Sequence, residues 1–198
     1  MGSMKKIVLL GIVLALFSVG LNGQTGGILS VEVTTATVST TATDATQTRV
    51  DPRGGRHGSG RSYAPQNIIA IWVEDNNGKF VKTLLINARR YTDYLTAWVN
   101  ATSSAGSTYN SVDAVTGATN MTHGVRVCTW DGTDFNGNLV ADGSYVVKME
   151  LTEANSTGNS AAFPIIKGES TFSSNPDPNT NFSDITLKWE PNISTISK

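Results

Sequence analysis

The chain holds one cysteine and two histidines among 198 residues, and its longest apolar run falls well short of a membrane span. Each shortage closes off a class of explanation. With Cys128 alone, no internal disulfide can staple the fold, and stability has to come from a hydrophobic core. Cys128 sits in Val125–Trp130, which has the look of a strand, and reads as a small buried apolar side chain rather than a reactive thiol. His57 and His123 lie in different segments, which argues against a metal site built on histidines. No G-x-S-x-G nucleophile motif occurs. Positive charge is short as well. The 15 basic and 16 acidic side chains give a net charge of −1, without the basic surplus that nucleic-acid binding demands. The four arginines between Arg49 and Arg61 lie among glycines and read as a solvated linker.

What is present begins with an export signal. Met1–Ser3 reads as a cloning remnant ahead of a second methionine, Met4. Lys5 and Lys6 then form a positive start, Ile7 to Val19 an apolar run of 13 residues, and Gly20 to Gln24 a small or polar end. A bilayer-spanning helix needs about 20 apolar residues, so the expectation is a cleaved secretory signal cut between Gly20 and Gln24. No cysteine follows the run, which argues against a lipidated N-terminus. Loss of Lys5 and Lys6 leaves 13 basic against 16 acidic side chains, a net charge of −3. The expected destination is the periplasm or the extracellular space.

The remainder divides by composition. Residues 25–62 are rich in Thr, Gly and Arg and are expected to form a weakly ordered arm, with Val31 and Val33 hinting at an edge strand. Residues 63–190 are expected to form one domain, and 191–198 a tail. Asn67–Glu74 is β-branched and aromatic, Asn76-Asn77-Gly78-Lys79 is a turn, and Phe80–Ile86 returns, which predicts a hairpin. Tyr91, Tyr94, Leu95 and Trp98 fall three or four apart and predict a short helix within 88–99. Asn100–Ser111 is small and polar and reads as a loop. Tyr145, Val147, Met149 and Leu151 alternate with Val146, Lys148 and Glu150, the period of a half-buried strand. Phe163–Ile166 and Ile185–Trp189 add two short strands on either side of the breaker Asn175–Asn179. The pattern predicts an all-β, antiparallel Ig-like β-sandwich.

The loop at Asp113-Ala114-Val115-Thr116-Gly117-Ala118-Thr119 carries the sharpest chemistry. It resembles the D-x-x-T-G-A-T acceptor of bacterial flavin transferases. That resemblance implies FMN joined by a phosphoester to the hydroxyl of Thr119, with Asp113, Thr116, Gly117 and Ala118 as the rest of the attachment motif. Gly117 and Ala118 remove bulk before the acceptor, and Asp113 and Thr116 are suited to order the loop through side-chain to backbone bonds. Trp72, Trp98 and Tyr109 are candidate stacking faces for the flavin ring. The same residues also fit a plain turn, with Asp113 capping and Gly117 at positive φ.

A second pattern, W-D-G-x-D-x-x-G-x-x-V-x-x-G-x-Y over Trp130–Tyr145, resembles the hairpin of the Ig-like domain in flagellar hook-capping proteins. Its oxygen ligands, Asp131, Asp134, Asn136, Asn138 and Asp142, do not match the EF-hand spacing and read as an Asx-rich turn. Taken in order, Ala64–Leu84, Tyr91–Trp98, Asp113–Thr119 and Trp130–Gly137 resemble the bacterial exported family called domain of unknown function 2271. The resemblance implies an envelope protein in a redox-linked setting. Two functions are compatible with these residues. One is a non-catalytic Ig-like module in protein binding or envelope assembly, with no cofactor. The other is an electron-transfer subunit carrying FMN on Thr119, served by a flavin transferase and partnered with a membrane oxidoreductase. Neither reading makes the chain an enzyme.

Overall fold

The computed structural model describes residues 23–37, 67–88, 91–117, 122–153 and 158–192. The signal-like N-terminus, residues 38–62 of the expected arm and the last six residues lie outside them. Among the described residues, two sheets face each other as an all-β sandwich. The strands in chain order are β1 (Gly27–Thr35), β2 (Ile68–Asp75), β3 (Phe80–Asn87), β4 (Val115–Gly117), β5 (Val125–Trp130), β6 (Gly143–Thr152), β7 (Asn159–Lys167), β8 (Phe172–Ser174) and β9 (Phe182–Pro191). One sheet runs β5-β1-β9-β8, and the other β4-β3-β2-β6-β7. Pairing is antiparallel throughout except between β3 and β4.

The sandwich core forms where the alternating faces meet. Tyr145, Val147, Met149 and Leu151 of β6 pack with Leu29, Val31, Cys128, Trp130, Leu187 and Trp189 of the opposite sheet. Trp130 lies edge-on to Tyr145 at 5.1 Å and tilted against Trp189 at 6.1 Å, so three aromatics close one end of the core. Cys128 is buried among them. Burial pushes its thiol pKa up to about 12, so it is a packing residue and not a nucleophile.

The central strands β2 and β3 are buried on both faces. Their continuous apolar sequence needs cover on each side, unlike the alternating β6. The outer face of Ile68, Ala70, Trp72, Phe80 and Ile86 is roofed by Leu95 and Trp98 of a helical layer. This layer is a 3-10 turn at Thr92–Tyr94 followed by α1 (Thr96–Ser104). The helix therefore runs beyond the predicted segment, into residues read as loop from Asn100 onward. Its start has no side-chain cap of its own, because Leu95 stands at the N-cap. Glu150 of β6 supplies one, accepting hydrogen bonds from the amides of Ala97 (3.2 Å) and Trp98 (3.0 Å). Glu150 belongs to the polar side of the β6 alternation, yet α1 covers it. Burial raises its pKa despite those hydrogen bonds.

The largest departure from the sequence reading is β1. Residues 27–35 were expected in a weakly ordered arm, with an edge strand at most. They form a nine-residue strand in the interior of a sheet, hydrogen-bonded to β5 on one side and β9 on the other. Leu29, Val31 and Val33 point inward with no exposure. The Thr/Val composition that looked like low complexity is strand-forming once partners are present, and both partners lie far away in the chain. Leu29→Ala is expected to cost about 2–5 kcal/mol in urea unfolding, while the neighbouring, 40% exposed Ile28→Ala changes stability by about 0.5 kcal/mol or less. Equal, small effects at both positions would mean that β1 does not pack as a strand.

Candidate functional site

The flavin-acceptor-like motif enters from the loop that follows α1. Asn110 anchors that loop: its carbonyl accepts from the Thr83 hydroxyl at 2.6 Å, and its side-chain oxygen accepts from the Val112 amide. Asp113 then turns the chain with φ 57°, a left-handed conformation that aspartate tolerates better than most residues. Gly117, expected at positive φ in a plain turn, is instead extended. It forms β4 with Val115 and Thr116, paired in parallel with Leu85, Ile86 and Asn87 of β3. All three β4 residues are exposed at the open edge of the five-stranded sheet. Ala118 and Thr119, the end of the motif, lie outside the described residues. The chain is described again from Thr122, whose carbonyl accepts from Arg126 at 2.8 Å, and His123 pairs with Glu153 at 2.7 Å.

A residue that sequence reasoning passed over ties this segment to the tryptophan hairpin. Lys82 of β3 has a side chain only 6% exposed. Its ammonium donates to the Thr133 hydroxyl at 2.9 Å and lies 3.5 Å from the carboxylates of both Asp113 and Asp131. Asp113 begins the acceptor-like motif, and Asp131 belongs to W-D-G. The two motifs thus converge on one nearly buried cation. Burial alone would raise the Asp131 pKa, but hydrogen bonds from Thr133 and the charge of Lys82 outweigh it and hold the carboxyl low. The only sequence signal for this node was a lysine inside a mainly apolar strand.

The other hairpin carboxylates are engaged in building the turn. Asp134 accepts from the amides of Asn136 and Asn138, both at 2.9 Å. Gly132 takes φ 78°, and a Cβ there would crowd the buried Trp189 ring at 3.1 Å as well as Lys167, so the position favours glycine. Asp142 accepts from Lys167 at 2.7 Å and from the hydroxyl and amide of Thr25 at 2.6 and 2.8 Å. No group of three or more His, Cys, Asp or Glu suited to a metal is found among the described residues.

Next to β4 a groove of about 270 Å³ opens between the sheet edge and the helical layer. Ile86, Trp98, Tyr109, Thr116 and Gly117 contribute to its walls. Of the three aromatics proposed as stacking faces, Trp72 and Trp98 are buried residues of the outer core, whereas Tyr109 is 45% exposed. The hydrogen bond its hydroxyl donates to Asp93 raises the Tyr109 pKa above the ordinary phenol value. A second groove, near Phe80, Phe135 and Tyr145, lies by the tryptophan hairpin away from the acceptor-like segment.

Comparison with known families bears on these features directly. Residues 61–166 match the family model of a predicted periplasmic protein, domain of unknown function 2271 (DUF2271). The chain belongs to this family. No curated protein and no solved structure matches it. The DUF2271 span contains the acceptor-like segment, Lys82, the groove and the tryptophan hairpin. It does not contain β1, β8 or β9, which make three of the four strands in the facing sheet. The folded unit is therefore larger than the DUF2271 span, whose inner face is covered by strands from both sides of it. Among the described residues no helix is long and apolar enough to cross a membrane.

The Asp142–Lys167 pair offers a stability test with a defined sign. Burial would raise the Asp142 pKa, but the bonds from Lys167 and Thr25 outweigh it and depress the carboxyl. A depressed carboxyl stabilises the fold above its unfolded value of about 4 and loses that contribution as pH falls through the folded value. Asp142→Asn leaves the fully buried Lys167 side chain without its counter-charge and is expected to cost about 3 kcal/mol at pH 7. Urea titrations between pH 7 and pH 3 should also show a smaller acid loss in the variant than in the wild type. Identical acid limbs would show that the pair does not govern this dependence.

Proposed function

We propose that this DUF2271 protein is an extracytoplasmic electron-transfer subunit that carries FMN on Thr119 and is not itself an enzyme. The observation that carries the reading is the position of the motif's described part: β4 is an exposed edge strand, not a turn closing the sandwich. A modifying enzyme has to draw the acceptor hydroxyl into its own site, which an open sheet edge permits and a packed turn does not. The reading is also supported by the adjacent groove, a shallow one of about 270 Å³ with an exposed aromatic on its wall.

The chain's own residues would act as a mount. Parallel pairing with β3 fixes the direction in which the motif leaves the sheet. Lys82 holds Asp113 at the motif's start against the tryptophan hairpin. Bound flavin supplies one- or two-electron transfer, and the exposed edge leaves it open to a membrane oxidoreductase. A flavin transferase is the implied modifying partner.

A second reading rests on a different edge. β5 borders the four-stranded sheet with Val125 and Val127 exposed, the kind of strand edge a protein partner can extend. This would suit a cofactor-free module in protein binding or envelope assembly. Coexpression with a bacterial flavin transferase separates the two. The expected result is an intact-mass gain of FMN less one water, and no gain in Thr119→Ala. In this transfer Thr119 Oγ attacks the FMN phosphorus of a flavin adenine dinucleotide donor, the diphosphate P–O bond breaks, AMP leaves and the hydroxyl proton is released. No gain in the wild type, with the transferase active on a known substrate, would contradict the flavin reading and favour the module.

A further inference from the structure

We infer that the groove beside β4 is the seat of the flavin ring and that Tyr109 is the platform on which the ring stacks. The inference rests on the flavin reading for its occupant and on the groove's construction for its geometry. Tyr109 has φ 61°, a left-handed backbone conformation that glycine or asparagine adopts more readily. The surroundings hold it there from three directions. Its amide donates to the Thr102 hydroxyl at 3.2 Å, and that hydroxyl donates to the Trp98 carbonyl at 3.1 Å. Its own hydroxyl donates to Asp93 of the 3-10 turn. Its ring packs against Trp98 at 6.1 Å, and the Trp98 indole donates to Thr83 of β3 at 3.0 Å. An exposed tyrosine in a strained conformation, held at backbone, ring and hydroxyl, is a fixed aromatic surface rather than a loose side chain.

The remaining walls suit a planar heterocycle. Ile86 is an apolar lining residue, Gly117 adds no side chain, and Thr92, Ser111 and Thr116 complete the lining. Reach identifies the occupant. Gly117 lines the groove, and Thr119 follows two residues later, within about 7 Å even in a fully extended chain. A ring tethered at Thr119 is thereby held at high effective concentration beside the Tyr109 face.

The test uses the flavin-loaded exported protein and variants that separate the ring from the strain. Tyr109→Ala removes the ring and keeps the strained backbone position. Tyr109→Gly removes the ring and relieves that strain. Tyr109→Phe keeps the ring. At equal loading by intact mass, flavin fluorescence is expected to be quenched in the wild type and Tyr109→Phe, and to rise several-fold in both Tyr109→Ala and Tyr109→Gly. Equal fluorescence in all four would overturn the inference while leaving the carrier function standing. If the wild type takes no flavin, the carrier reading fails, and riboflavin titrated into the unloaded protein decides the groove by itself. Saturable quenching weakened roughly 2- to 10-fold by Tyr109→Ala supports it, and no saturable binding overturns it.

Discussion

Two-sided burial of the β2–β3 hairpin is the constraint from which the rest of the structure follows. Its inner face completes the sandwich core, and its outer face exposes Trp72, Phe80 and Ile86 to whatever covers them. An apolar face of that size cannot stay in water, so a second layer has to form. The 3-10 turn and α1 are that layer, seated by Leu95 and Trp98 and anchored at the helix start by Glu150. Trp98 and Thr102, from the buried side of α1, then fix the loop that carries Tyr109 and Asn110. That loop feeds β4. The exposed edge and its groove are the outermost consequence of an apolar hairpin that needed a roof.

Lys82 is the electrostatic counterpart of this arrangement. A nearly buried ammonium needs hydrogen-bonded or charged partners, and it finds Thr133, Asp131 and Asp113. Both carboxylates are largely exposed, so the pairs add little to stability. Their effect is alignment. The first residue of the acceptor-like motif and the first turn of the tryptophan hairpin are registered against one atom of β3.

Legibility in the sequence followed the range of the interactions. Local patterns were readable: the β6 alternation, the Asn-Asn-Gly turn between β2 and β3, and the helical spacing through Trp98. Pairings between distant segments were not. β1 is defined by β5 and β9, neither of which is near it in the chain, so its strand-forming composition passed for an arm. β4 has three residues in a polar loop, too few for any periodic signal, and exists because β3 offers an edge. At the site, the acceptor-like motif and its three candidate aromatics were visible. That Tyr109 alone among them is exposed depends on the helical layer, and Lys82 carried no motif at all.

The central claim concerns one hydroxyl, and a peptide map of the protein purified from its native cell envelope examines it most directly. Cleavage after Arg90 and Arg126 releases a fragment containing the whole motif. A phosphoflavin mass on that fragment, with fragment ions placing it on Thr119, is the expected result. The same fragment recovered entirely unmodified, from cells in which a flavin transferase modifies its other substrates, would contradict the claim.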